Sequence, residues 1–208
     1  ENYILPLSHD EVVHLKCSML NKMPGYQKDK YANLRTGYTY MFGHEGKKLL
    51  FMGQEFGQER EWSEERELDW YLLDEELNKG MQSYVKDLLK LYRKNPCMYE
   101  VDNSWEGFEW VKADDVEEST YAFIRKCPSS KNRLLFVMNM TPMERKEYRV
   151  GVPKKKKYKL VLNSDDIKYG GEGREIPSVI PAEKIPCDYR DYSISFDLPP
   201  WSSAVFSF

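Results

Sequence analysis

A chain of 208 residues, 41% of them hydrophobic, can bury one large core or two small ones, which removes disorder as a starting assumption. Its net charge of −3 is made of interspersed signs and offers no basic face for nucleic acid. No apolar run reaches the ~20 residues a membrane span needs, and no basic segment followed by an apolar one is visible among its first residues. The four cysteines are scattered without a CxxC pair, which argues against zinc or redox chemistry and for free thiols in the cytoplasm. Lys154–Lys157, the single block of like charge, reads as a solvated turn.

In chain order, Tyr3-Ile4-Leu5-Pro6-Leu7 is a short strand-like run ending in Ser8-His9-Asp10-Glu11. A Pro24-Gly25 turn precedes a helix predicted over 28–42, with Tyr31, Leu34, Tyr38 and Met41 on one face. His44-Glu45-Gly46 closes that helix, 47–52 reads as a buried strand, and Gly53 stops it. A second helix is expected over 75–95, with Met81, Tyr84, Val85, Leu88, Leu89 and Tyr92 inward and Pro96 beyond its end. Strand, helix, strand, helix implies parallel strands joined by right-handed crossovers. Parallel sheets are covered on both faces, so two such strands should be part of a larger sheet.

From about Val101 the pattern changes to short strands: 108–112, 120–126, 134–139, 147–152, 158–163, 193–198 and 204–208. Alternation within them, as in Tyr121, Phe123 and Arg125 against Ala122 and Ile124, predicts an antiparallel β-sandwich. The stretch 165–191, rich in Gly and Pro, reads as a loop.

The His9-Asp10-Glu11 triplet follows a strand, where α/β barrels carry catalytic groups. A carboxylate beside an imidazole can accept and donate hydrogen bonds to paired sugar hydroxyls. Asp10 as a helix N-cap is the competing reading, and the chemistry alone leaves both open. A zinc motif does not fit. His9 and His14 are five apart, roughly 140° around a helix, where a zinc helix spaces its histidines by four.

The stretch from Leu5 to His14 resembles the last conserved segment of branching enzymes in the α-amylase superfamily. The likeness continues in Ser18–Gly25, Ala32–Arg35, Lys47–Gly53, Phe56–Trp62, Leu68–Trp70, Gly107–Trp110, Tyr148–Pro153 and Leu162–Asp165. It implies the last two βα units of a (β/α)8 barrel over 1–100, then an all-β domain over 101–208. A whole barrel takes ~250 residues, so the rest of the catalytic barrel would lie upstream.

The activity implied is retaining transglycosylation on an α-glucan of the glycogen or amylose type, with no cofactor or metal. By resemblance Asp10 is the third carboxylate, stabilising the transition state, and His9 hydrogen-bonds the same sugar. Nucleophile and acid/base would lie upstream, leaving this chain inactive alone. Glu11 is expected to shape the acceptor side. Trp62 either stacks on a glucose ring or packs as a loop residue, while Trp70 and Trp110 are expected in the core. The chain departs from the family at Leu15 and Cys17, where relatives usually carry glycine. Two other readings stay open: a non-catalytic glucan-binding module and an α-amylase-type hydrolase.

Overall fold

The computed structural model describes residues 3, 4 and 6–208. The first half is built on two helices, α1 (Gln27–Gly43) and α2 (Glu76–Lys94). Gly25, at φ +90°, makes the turn into α1, and a Cβ there would meet Asp29 Cβ at 2.5 Å. Asp29 needs that space because its carboxylate accepts the Tyr26 N–H at 3.0 Å, holding the first turn. Tyr31, Leu34, Tyr38 and Met41 are buried, as their spacing predicts. On α2 the inward stripe is Met81, Tyr84, Val85 and Leu88, whereas Leu89 is exposed and Tyr92 half-buried. The expected face was therefore one position too wide.

Among the described residues, the two strands expected in this half do not form. Leu7 and Leu50 make one isolated parallel bridge, and Leu5 lies outside the described residues. A parallel strand draws hydrogen bonds from a neighbour on each side, and this pair has only itself. No helix among the described residues is long and apolar enough to cross a membrane.

The second half is antiparallel throughout. β1 (Phe108–Lys112), β2 (Thr120–Cys127), β3 (Ser130–Asn139), β5 (Lys157–Asn163), β6 (Val179–Pro181) and β8 (Ser202–Ser207) form one sheet in the order β1-β2-β3-β8-β5-β6. β4 (Arg145–Val152) and β7 (Tyr192–Leu198) form the facing pair. β6 falls inside the stretch expected to be loop. It is three residues long and pairs only with β5, too short for an alternation signal.

The alternation in β2 turns out to separate two cores rather than core from solvent. Ala122 and Ile124 pack with Leu135, Val137, Val150, Ile194 and Phe206 between the sheets. Phe123 points the other way, stacked on Phe136 at 5.0 Å, in the core shared with α1 and α2. Arg125, a charged residue on the same face, is fully buried there. It donates to the Gly107, Gly43 and Met98 carbonyls and pairs with Asp102 at 3.0 Å. The molecule is thus layered: helices, large sheet, small sheet.

Candidate functional site

The parallel bridge at Leu7 delivers the chain directly into a 3-10 turn, His9–Glu11. Ser8 starts the turn, its Oγ accepting the Asp10 N–H at 3.4 Å. The cap of this turn is therefore Ser8, leaving the Asp10 side chain free of the N-cap role. His9, Asp10 and Glu11 are all exposed, and His9 Nε2 lies 3.2 Å from Asp10 Oδ1. The His9 ring stands 6.0 Å from that of Phe51, and Phe51 meets Trp62 edge to face at 5.2 Å. A row of rings therefore joins the triplet to Trp62. Trp62 itself is half-buried against the helical core.

The loop after the triplet has an uncommon backbone. His14, Leu15 and Cys17 take φ of +58°, +66° and +66°, the left-handed region that favours glycine. Leu15 is also 97% exposed, so no burial compensates it. Leu15 and Cys17, where relatives were expected to carry glycine, thus have a backbone that suits glycine.

That loop is fastened to the segment after Gly57. The Leu15 and Cys17 N–H groups donate to the two Glu61 oxygens at 2.8 and 2.9 Å. The Trp62 N–H donates to the Val12 carbonyl at 3.0 Å, and Asn21 Nδ2 to the Glu59 carbonyl at 2.7 Å. The hydrogen bond from the Leu15 amide, then that from Cys17, draws the Glu61 carboxyl below its ordinary range. Lys16 reaches back, its ammonium donating to the Asp10 carbonyl at 2.8 Å. Further along, Arg60 forks onto the buried Asp69 carboxylate, whose pKa the guanidinium lowers.

Each sequence-predicted residue can now be placed. His9 and Asp10 are in contact, Glu11 shares their turn, and Trp62 joins them through Phe51. Trp70 was expected in the core but is 50% exposed, leaning on Phe56 at 5.3 Å. Its place on a 3-10 turn, Trp70–Asp74, gives it no helical face to bury. Trp110 is half-buried against the helical core. Lys16, Phe51 and Glu61 were not singled out from sequence. The partners of Glu61 and the His9 neighbour of Phe51 are distant in the chain, as with the 46 residues separating Glu61 from Leu15, and Lys16 reaches Asp10 only because the intervening loop turns back. Among the described residues, no group of three or more His, Cys, Asp or Glu is disposed to hold a metal ion.

Comparison with known proteins agrees with this layout. The alpha amylase C-terminal all-beta domain matches residues 110–208. A 1,4-alpha-glucan branching enzyme of Butyrivibrio fibrisolvens is 66% identical over 208 residues, covering 100% of this chain and 33% of that protein. Another, of Halothermothrix orenii, is 48% identical over 206 residues, with 99% and 33% covered. The alpha-amylase structure from H. orenii superposes with a TM-score of 0.60 at 14% identity, covering 96% of this chain and 38% of that one, a likeness of fold. The chain spans about a third of the length of the curated relatives it matches. Identity of this order along its whole length means that the chain belongs to the 1,4-alpha-glucan branching enzyme family and corresponds to its C-terminal third.

Proposed function

We propose that this chain works as the C-terminal part of an enzyme that cleaves α-1,4 linkages in a glucan and transfers the released chain to a 6-hydroxyl, making α-1,6 branches. The observation that carries this reading is the exposed His9-Asp10 pair, set on a turn at the end of a parallel-bridged segment, in a chain 66% identical to a branching enzyme. Residues 1–100 are the last part of a (β/α)8 barrel and 101–208 its all-β companion. The Leu7–Leu50 bridge supports that division, as do Leu49, Met52 and Leu89, large apolar side chains left exposed beside it. They suit the flank of a barrel whose remaining strands lie upstream. Four free cysteines suit a cytoplasmic enzyme.

In this reading an upstream carboxylate attacks the anomeric carbon, and an upstream acid protonates the departing glucan oxygen. Asp10 accepts hydrogen bonds from two hydroxyls of the sugar being distorted. Those bonds strengthen as the ring flattens, so they lower the barrier rather than merely tightening binding. His9 donates to the same sugar, Glu11 faces the acceptor, and Trp62 offers a ring face beside them. The glycosyl-enzyme is then opened by a 6-hydroxyl, which gives up its proton to the same acid/base group.

In the full-length enzyme, Asp10→Asn should cut branching by about 10²- to 10³-fold, the usual effect of removing one transition-state contact. The 208-residue chain by itself should show no branching in an iodine-stain assay. Branching at the parent rate by the Asp10→Asn enzyme would overturn the assignment.

A further inference from the structure

We infer that Glu61 is the positioning residue of the site: its carboxylate clamps the strained loop after the triplet and, through Lys16, holds the backbone of Asp10. The inference rests on the role proposed above for Asp10. Glu61 itself lies on the segment after Gly57 and need touch no sugar.

Three features converge on it. Two N–H groups from alternate residues, Leu15 and Cys17, point at one carboxylate, with one bond to each oxygen. Successive amides turned to one side by left-handed residues form a concavity that binds anions, and here the anion is a side chain of the same molecule. The residues supplying those amides are non-glycine at φ +66°, a conformation that persists only where its surroundings hold it. Lys16, between them, carries the consequence to the site by donating to the Asp10 carbonyl at 2.8 Å. Its own carbonyl accepts from Lys22 at 2.6 Å, so the arm is held at both ends. Trp62, next to the clamp, is registered against Val12 through its N–H. The segment that carries Trp62, whose ring reaches His9 through Phe51, is therefore the one that fixes the loop after the triplet.

Glu61 is only partly buried, so its replacement by alanine leaves the core alone. In the 208-residue chain, Glu61→Ala should make the Leu15 and Cys17 amides exchange with solvent about tenfold faster or more, as loss of charged hydrogen bonds requires. In the full-length enzyme the same change should lower kcat by about 10- to 100-fold, with KM within twofold, because a displaced Asp10 loses contact in the transition state more than in the bound state. Glu61→Gln, which keeps one acceptor, should fall between. Adding Leu15→Gly and Cys17→Gly to Glu61→Ala should restore part of kcat, since glycine takes the left-handed backbone without a clamp.

Unchanged exchange at both amides would overturn the clamp whatever the activity. Faster exchange with kcat unaltered would overturn the link to Asp10, provided Asp10→Asn inactivates the enzyme. If Asp10→Asn is itself fully active, the failure lies in the role given to Asp10, while the exchange rates still decide the clamp.

Discussion

At the scale of single residues, the informative groups are polar ones held where their type is rarely found. Arg125 is fully buried with Asp102, and the pair stitches the end of α1 to the sheet. Such pairs contribute little net stability but are costly to break, so they fix a geometry more than they strengthen it. Lys48 lies near this pair and has a pH signature. Burial lowers its ammonium pKa to about 8 from 10.5, with Asp102 opposing the shift and Arg125 adding to it. Between those two values the unfolded chain holds the proton that the folded chain has released. Stability should therefore rise with pH across that window, while below it the cost of burying the charged amine is fully present and constant. Between pH 7.5 and 10 the urea midpoint should rise relative to that of Lys48→Met. Equal increases in both proteins would refute it.

At the scale of elements, the joint between helix and sheet is tightest at the last residue of α1. A Cβ on Gly43 would stand 2.8 Å from the rings of both Phe123 and Phe136. Gly→Ala in a helix ordinarily gains up to about 1 kcal/mol, and less at its end. Overfilling a packed core costs about 1–3 kcal/mol, so the clash should win. Gly43→Ala is expected to lower the denaturant midpoint without changing the slope, and a raised midpoint would contradict that ranking. The elements themselves were legible to differing degrees. Both helices and the longer strands stood close to their expected ranges because each carries a complete local period. β6 and the segments at Leu7 and Leu50, joined by a single bridge, did not, since pairing partners settle those.

At the scale of the whole molecule, one core crosses the middle of the chain. Phe108, Phe123, Leu134, Phe136, Met138 and Val205 of the large sheet pack with Tyr31, Leu34, Tyr84 and Leu88 of the helices. Burying one such large apolar side chain is worth roughly 1.5–3 kcal/mol, so half a dozen rival the whole net stability of a small domain, about 5–15 kcal/mol. Residues 101–208 made alone should consequently bind a hydrophobic dye and associate in solution. A monomer with the cooperative unfolding and midpoint of the intact chain would show that the sandwich needs no helical cover.

Composition and periodicity were enough to separate a helical half from a β half, and the Leu5–His14 motif to single out His9-Asp10 as candidates, because those signals are written in neighbouring residues. Only the folded chain could show that β2 serves two cores, that Arg125 points inward, and that Glu61 grips Leu15 and Cys17. Each of these depends on groups tens of residues apart, and a contact at that separation is decided by packing, not by local order.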